Sequence, residues 1–153
     1  MKKYRLTNDE CKKFLQEAAV GRLSTINEDG SPYTVPVHFS FVDGKIQIHG
    51  SLKGQKGANI KRNCRVCFES DDMGQYVLPE NNNACNVNTE YRSVIIEGEG
   101  RVVEDPEEKQ RVLNHIVAKY VPQYQEQELP QQKIAITGVV EITITKLSGI
   151  SHH

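Results

Sequence analysis

The sequence predicts a mainly β (α+β) fold, a small closed or partly open antiparallel barrel with helices at its periphery. About six segments have the length and alternating apolar pattern of strands, and the visible hairpins are antiparallel. No repeating strand–helix–strand pattern occurs, which argues against a parallel doubly wound sheet. At 153 residues the chain is expected to be one domain, 1–153, with a single core.

Composition excludes several classes of protein. The net charge of −1 gives no reason to expect binding to nucleic acid or to an anionic membrane. No apolar run is long enough for a membrane span, and the N-terminus lacks an apolar signal core, so a cytoplasmic location is expected. The four cysteines do not form the framework of a small secreted domain. Cys64 and Cys67 match CxxC, but on a strand they point to opposite faces, so no metal is expected.

The elements follow from local signals. Thr7 and Glu10 form a capping box for a first helix that Gly21 ends, and Asp105-Pro106 opens a second helix that Pro122 stops. A short basic helix lies between them. Glycines at 98 and 100 predict a bulge or bend. Residues 71–90 are expected to be a long functional or mobile loop, a candidate lid that includes Tyr76, and 123–133 a polar connection. The final two histidines are assigned no role. The predicted strands are 22–27, 33–42, 45–51, 63–70, 91–104 and 134–146.

The hairpin around Asp43-Gly44 gives the first functional indication. A type I′ turn at this dipeptide sets the register. The resulting pairs are Val42 with Lys45, Ser40 with Gln47, His38 with His49, and Pro36 with Ser51. Directly opposed residues share a face, so two histidines would stand side by side on the polar face. A coincidental solvated face is the alternative. Pro36 implies an edge strand or a break in pairing.

The segment that follows, Ser51 to Asn63, resembles an anion site in its composition. Its glycines allow a close backbone approach, and the helix after them offers free N–H groups to an anion. Lys53 and Lys56 would add charge-assisted hydrogen bonds. The segment is neither a Walker loop nor GxGxxG. An ordinary lysine-rich turn is the alternative interpretation.

Three blocks, VGRLSTINEDGSPYTVPVHFSF, GKIQIHGSLKGQKGANIKRNCRVCFE and NACNVNTEYRSVIIEGEGRVVEDPEEK, together resemble the FMN-binding split-barrel superfamily typified by pyridoxamine 5′-phosphate oxidase. The branch they are most similar to is the nitroimidazole-resistance flavoproteins. The resemblance runs from Val20 to Tyr120. It implies a homodimer of six-stranded antiparallel split barrels, with one FMN in each of two clefts at the subunit interface.

The resemblance also implies which residues hold the cofactor. Gln55-Lys56 replaces an Arg-Lys pair of the oxidase, so one positive charge is lost there. Ser93 stands where the oxidase has a glutamine near the flavin, which departs from the family pattern. The implied cofactor-binding residues are Ser51, Lys53, Gln55 and Lys56 at the phosphate, Val35, Pro36, Val37 and His38 along the flavin, His49 and Gly50 at the ribityl or phosphate portion, and Ser93 and Asn59.

The function expected from this resemblance is an FMN-dependent oxidoreductase that reduces a small electron-poor substrate, such as a nitro-heterocycle, by two electrons. A nicotinamide or another donor would supply the electrons. His38 is the candidate catalytic proton donor, since a histidine exchanges protons near neutral pH; alternatively it only hydrogen-bonds the flavin or a neighbouring strand. Two different functions suit the same fold: a non-catalytic flavin carrier or sensor, and a split barrel that binds haem or a deazaflavin. Oxidation of pyridoxamine phosphate is disfavoured, because the C-terminus lacks that enzyme's substrate segment.

Overall fold

A computed structural model describes residues 2–153 as one antiparallel sheet of eight strands with four α-helices. The strands are β1 (Lys3–Arg5), β2 (Gly21–Ile26), β3 (Pro32–Val37), β4 (Phe39–Val42), β5 (Lys45–Gly50), β6 (Arg65–Val77), β7 (Asn88–Val103) and β8 (Gly138–His152). The helices are α1 (Asn8–Glu17), α2 (Gln55–Arg62), α3 (Pro106–Tyr120) and α4 (Gln131–Ile136).

The sheet curls so that its two ends belong to adjacent parts of the chain. Its strand order is β3-β2-β6-β7-β8-β5-β4, and β1 pairs with β8 outside this path. The first and last strands of the path, β3 and β4, are separated in sequence only by His38. The sheet is not closed, and the mainly β split-barrel fold predicted from the sequence is confirmed.

The inner face of the curled sheet forms the core. Phe39 of β4 and Phe68 of β6 meet edge to face with ring centroids 4.8 Å apart, the geometry that aromatic pairs prefer. Phe14 and Leu15 of α1 join this cluster. A second, smaller cluster lies under α3 and α4, where Val103, Val112 and Ile134 are buried.

The predicted helix starts are confirmed. Thr7 Oγ1 accepts from the Glu10 N–H at 3.3 Å, and Glu10 Oε2 accepts from the Thr7 N–H at 2.7 Å. Asp105 Oδ1 accepts from the Glu108 N–H at 2.9 Å. These bonds satisfy amide groups that the first turn leaves free. The predicted bulge is also present, as a register shift between Glu97 and Gly98 against β8.

The strand count exceeds the predicted six because one predicted strand is divided and one was missed. The segment 33–42 breaks at His38, so that β3 pairs with β2 whereas β4 pairs with β5. The missed strand, β1, pairs with the end of β8, where His152 also pairs with Tyr91. His152, to which no role was assigned from the sequence, therefore has a structural role in the sheet.

The expected loop 71–90 is largely a β-hairpin. β6 continues to Val77 and β7 begins at Asn88, so only residues 78–87 connect them. Residues 71–77 are exposed throughout, and a strand that buries neither face carries no apolar alternation in its sequence. The assignment of the whole segment as an irregular loop was wrong for this reason.

The expected connection 123–133 and strand 134–146 are also corrected. Pro130 precedes the short helix α4, and Ile134, the predicted start of the strand, is buried within this helix. Six residues are too few for the helical apolar period to appear. The last strand instead begins at Gly138.

Some chemical features can be stated for residues 2–153. All four cysteines are free thiols, and Cys11 alone among them is buried. No three or more His, Cys, Asp or Glu side chains of this part of the chain are grouped so as to hold a metal ion. None of its helices has both the length and the apolar character needed to cross a membrane.

Candidate functional site

The hairpin of β4 and β5 has the predicted turn and, near the turn, the predicted register. Asp43 has φ 51° and Gly44 has φ 72°, as a type I′ turn requires. Val42 pairs with Lys45 and Ser40 with Gln47, but the ladder ends where Phe39 pairs with Ile48. The further predicted pairs are wrong, because the chain bends at His38 and joins β2, where Pro36 pairs with Arg22.

The polar face of this hairpin is divided into a covered half and an accessible half. Ser40 and Gln47 are buried and joined by a 3.1 Å hydrogen bond. His115 Nδ1 of α3 lies 2.8 Å from Gln47 Oε1, and Gln47 Nε2 donates to Glu141 at 3.0 Å. This half is therefore an interior polar network beneath α3, and any ligand surface is confined to the end that carries the histidines.

His38 lies at the break between β3 and β4 and is exposed. Its ring packs on Tyr120 with centroids 4.6 Å apart. The Tyr120 hydroxyl accepts from the Phe39 N–H at 2.9 Å and donates to the Ala19 carbonyl at 2.7 Å. The position of His38 is therefore fixed by an aromatic contact with the end of α3.

His49 and Lys56 form the charged part of the site. His49 Nδ1 is buried and has no hydrogen-bond partner within residues 2–153. Burial lowers the pKa of His49, and the nearby charges of His38 and Lys56 lower it further. The Lys56 Nζ lies against Gly50, where an added Cβ would be 3.4 Å from it. Burial also lowers the pKa of Lys56, and no carboxylate of residues 2–153 forms a salt bridge with it.

The loop before α2 shapes the rest of this site. Gly50 has φ 149°, a conformation that favours glycine. Ser51 Oγ accepts from the Lys53 N–H at 3.3 Å, and the Lys53 side chain is exposed. Gly54, the N-cap residue of α2, provides no side-chain cap, so the first amide groups of the helix are open to a ligand. We call Gly50, Ser51, Lys53, Lys56 and His49 the Lys56 cradle.

The position of α2 depends on Asn27, a residue that sequence reasoning missed. Asn27 Oδ1 accepts from Gln55 Nε2 at 2.7 Å and from Asn59 Nδ2 at 2.8 Å. Asn59 is buried and also donates to Thr25 at 3.0 Å, and Arg62 donates to the Ile26 carbonyl at 2.6 Å. Gln55 and Asn59 thus hold α2 to the end of β2. No local pattern indicates this, because the partners are about 30 residues apart along the chain.

The other predicted residues lie on strands. Val37 is buried in the core, Val35 packs against it, and the Pro36 side chain is exposed. Ser93 is half-buried on β7, between Asp71 of β6 and Ile150 of β8. Strands β2 and β6 separate it from β3, which is about 15 Å across the sheet at the usual strand spacing. Ser93 also pairs with Ile150 near the end of β8, whereas His49 and Gly50 pair with Val139 and Gly138 at its start. One copy of the chain therefore does not bring Ser93 together with the cradle.

A groove continues from the cradle toward α4. It has a volume of ≈ 630 Å³ and is lined by residues 49–53, by Lys61 of α2, by Lys109 of α3 and by residues 135–138. The described residues that line it include three lysines and no carboxylate. Lys109 Nζ donates to the carbonyls of Ile134 at 3.3 Å and Ala135 at 3.0 Å. We call this the lysine groove.

Solved structures with the same fold include two that cover nearly all of this chain. The first is described as a candidate 5-nitroimidazole antibiotic resistance protein from Bacteroides thetaiotaomicron. It has a TM-score of 0.83 and 19% identity, over 98% of this chain and 87% of that one. The second is a FAD and haem binding protein from Mycobacterium smegmatis. It has a TM-score of 0.86 and 16% identity, over 100% of this chain and 75% of that one. At these identities the similarity shows the fold.

Sequence comparison gives a relative and a family. The relative is a 5a,11a-dehydrotetracycline/5a,11a-dehydrooxytetracycline reductase from Streptomyces rimosus subsp. rimosus, 38% identical over 64 residues. The match covers 39% of this chain and 45% of the reductase, less than half of either protein. The family described as pyridoxamine 5′-phosphate oxidase matches over residues 7–151. Because this match spans nearly the whole sequence, the chain belongs to the pyridoxamine 5′-phosphate oxidase family.

Proposed function

We propose that the protein binds FMN with the phosphate in the Lys56 cradle, and that it is a flavin-dependent oxidoreductase. One observation carries the proposal: the Lys56 ammonium is partly buried against Gly50 and has no carboxylate partner among the described residues. A desolvated cation without a counter-charge is unfavourable. A bound phosphate would supply that counter-charge.

The chemistry of the cradle fits a phosphate ester. The unpartnered His49 Nδ1 can donate to a phosphate oxygen when protonated. Lys53 and Lys56 provide two positive charges, comparable with the approximately −2 of a phosphate monoester. The open amide groups at the start of α2 and the unhindered Gly50 backbone complete the set of donors. Gln55 is occupied with Asn27 and contributes through the position of α2.

When bound, the flavin supplies two-electron redox chemistry, while the protein binds it, orients it and handles protons. Residues Val35, Pro36 and Val37 would present their backbone edge to the ring system. His38 is exposed at the end of β3 and held by Tyr120, so its ring can deliver a proton to a substrate on the accessible side. His38 is the residue to which we assign proton donation.

The proposed substrates are small electron-poor molecules such as nitroimidazoles and other nitroaromatics. The name of the Streptomyces relative supports a reductase, and that of the Bacteroides protein supports an association with nitroimidazoles. A nicotinamide is the proposed electron donor. We further propose that the protein is a homodimer with a flavin at each side of the interface, which would let Ser93 of the partner subunit contribute to a site that one copy leaves open.

The experiment has a binding arm and a turnover arm. In the binding arm, apo-protein is titrated with FMN by calorimetry. Replacing Lys56 with alanine should weaken FMN binding about tenfold to a hundredfold, corresponding to about 1.5–3 kcal/mol for a lost charged contact. Lys12→Ala on α1, remote from the cradle, is the control and should bind FMN like the parent. Equal affinities of the Lys56→Ala and Lys12→Ala proteins would refute the phosphate assignment.

In the turnover arm, FMN-loaded protein is mixed with a nicotinamide donor and a nitroaromatic, and absorbance reports reduction of the substrate. Steady turnover is the expected result. FMN binding without turnover by any donor would contradict the reductase and favour a flavin carrier. A haem or deazaflavin spectrum in the purified protein would contradict FMN as the cofactor.

A further inference from the structure

Asn27 forms hydrogen bonds with both segments that carry the proposed flavin site. Its Oδ1 accepts from Gln55 Nε2 at 2.7 Å and from Asn59 Nδ2 at 2.8 Å, and both donors belong to α2. Its Nδ2 donates to Ser31 Oγ at 3.0 Å, and its backbone N–H donates to the Ser31 carbonyl at 2.8 Å. Ser31 is the residue before β3. One side chain therefore connects the helix beside the cradle to the strand proposed to face the flavin ring.

The neighbouring side chains fix the direction in which the Asn27 carboxamide points. Arg62 Nη2, which can only donate, lies 2.9 Å from Asn59 Oδ1, so Asn59 turns its amide nitrogen toward Asn27. The Asn27 atom that faces α2 must then be its oxygen, and its nitrogen faces Ser31. Ser31 Oγ in turn donates to Asp29 Oδ1 at 2.6 Å. The bonds from Arg62 to Asp29 therefore all run in one direction, an arrangement in which each bond strengthens the next.

A second link joins α2 to β3 through Thr25. Asn59 Nδ2 also donates to Thr25 Oγ1 at 3.0 Å, and Thr25 Oγ1 donates to the Tyr33 carbonyl of β3 at 3.3 Å. This link holds the middle of α2, whereas the bond from Gln55 to Asn27 holds the first residue of the helix, next to Lys56 and the open amide groups. Removal of the Asn27 side chain should therefore release the start of α2 while the rest of the helix stays in place.

We infer that Asn27 is a positioning residue of the cofactor site. It fixes the start of α2, where the phosphate is proposed to bind, at a set distance from β3, and it thereby makes the site select a phosphorylated flavin over riboflavin, which has no phosphate. Asn27 acts through α2 and the turn before β3, without touching the flavin. This inference rests on the proposed function, because it requires a flavin phosphate in the Lys56 cradle.

Fluorescence titrations of the apo-protein with FMN and with riboflavin test this role. The parent should bind FMN at least tenfold more tightly than riboflavin, because only FMN forms the charged contacts of the cradle. Asn27→Ala should weaken FMN binding by about tenfold and leave the riboflavin affinity unchanged. The phosphorus NMR resonance of FMN bound to this variant should move toward that of free FMN, whereas the visible absorption of the flavin ring should stay as in the parent.

Two further variants sharpen the test. Asn8→Ala, at an exposed position of α1, is the control and should change neither affinity. Gln55→Ala removes one of the Asn27 bonds at an exposed residue and should weaken FMN binding by about threefold. Combined with Asn27→Ala it should have no further effect, because both replacements remove the same contact. Additive losses would overturn the inference, since Gln55 would then act on the phosphate without Asn27.

The flavin comparison can also overturn the inference. An equal loss of FMN and riboflavin affinity in Asn27→Ala would mean that Asn27 supports the fold as a whole. Unchanged affinity for both flavins would mean that the start of α2 keeps its position without Asn27. If the parent itself does not prefer FMN to riboflavin, the proposed phosphate cradle fails, and this result is distinct from a failure of Asn27 alone.

Discussion

The ammonium group of Lys119 on α3 lies between β4 and α1. Its Nζ lies 3.8 Å from the centroid of the Phe39 ring and donates to the Leu15 carbonyl at 3.2 Å. Burial lowers the pKa of Lys119 from 10.5 to about 8. The cation–π contact and the hydrogen bond only partly replace water around this group. Its charged form therefore opposes folding.

The replacement Lys119→Met should increase stability more at pH 7 than at pH 10.5. Between about pH 8 and pH 10.5 the unfolded chain binds a proton that the folded chain has lost, so stability rises with pH across this window. Methionine fills the space without a charge and removes this dependence. The full pKa difference corresponds to about 3 kcal/mol between pH 7 and pH 10.5. Because Lys119 is only partly buried and water screens its charge, the advantage of the variant should shrink by about 2 kcal/mol.

Urea unfolding at the two pH values measures this difference. Lys13→Met, at an exposed position of α1, is the control. Its free energy of unfolding should differ from that of the parent by the same amount at both pH values. A constant difference between Lys119→Met and the parent at both pH values would contradict a desolvated Lys119.

Single residues also show how far sequence reasoning reaches. The turn type and the alternation pattern predicted His38 directly opposite His49, a pair that does not form because the ladder ends where Phe39 pairs with Ile48. The structure still places His38 and Lys56 close enough to His49 to lower its pKa. The roles of Gln55 and Asn59 depend instead on Asn27, a contact that only the folded sheet creates.

Among the elements, α2 is held close to the loop that precedes it. A Cβ on Gly57 would overlap the carbonyl group of Leu52, so only glycine allows the loop to pack this closely. Gly54, three residues earlier, has open space around it and a negative φ of −94°. The two glycines therefore offer a matched comparison in one segment.

Gly57→Ala should push the loop away from α2 and weaken both the fold and the cradle. Overpacking of this kind costs about 1–3 kcal/mol, and FMN binding should weaken by about tenfold or more if Lys53 and Gly50 move from the phosphate. Gly54→Ala should change stability by less than about 1 kcal/mol, since loss of a good N-cap residue is offset by a stiffer unfolded chain.

Thermal unfolding and FMN titration of both variants check these values. If Gly57→Ala behaved like Gly54→Ala in both measurements, the close packing of loop and helix would have no role in the site.

The elements that were predicted well are those with a local cause. Capping residues set the starts of α1 and α3, and Asp43-Gly44 set the turn between β4 and β5. The outer part of the β6–β7 hairpin was missed because its strands pair with each other while both faces stay exposed. Hydrogen bonds between two exposed strands do not require polar and apolar residues to alternate, so no pattern in the sequence marks these strands.

At the scale of the whole molecule, the outer part of the β6–β7 hairpin exposes a group of large apolar side chains. Tyr76 is 67% exposed and Leu78 is 76% exposed, and Met73, Val77 and Val87 are exposed beside them. An apolar cluster of this size on one projection is typical of a surface that another chain covers. In the proposed homodimer we expect this hairpin to contact the partner subunit.

The double replacement Tyr76→Ser and Leu78→Ser should convert a dimer into a monomer. Light scattering after size-exclusion chromatography should give twice the chain mass for the parent and a single chain mass for the variant, because the variant loses apolar area that would be buried between subunits. Tyr124→Ser, which changes an exposed tyrosine outside the hairpin, should remain dimeric. A dimeric double variant would exclude the hairpin from the interface, and a monomeric parent would contradict the homodimer.

The first and last strands of the curled sheet, β3 and β4, are joined directly through His38, so both borders of the sheet lie on one continuous stretch of backbone. A displacement of one border relative to the other must therefore be absorbed by rotation about this single residue. Tyr120, which hydrogen-bonds to Phe39 next to His38 and to Ala19 before β2, restrains that rotation from the end of α3. A molecule bound at His38 would therefore contact the point at which the two borders of the open sheet join.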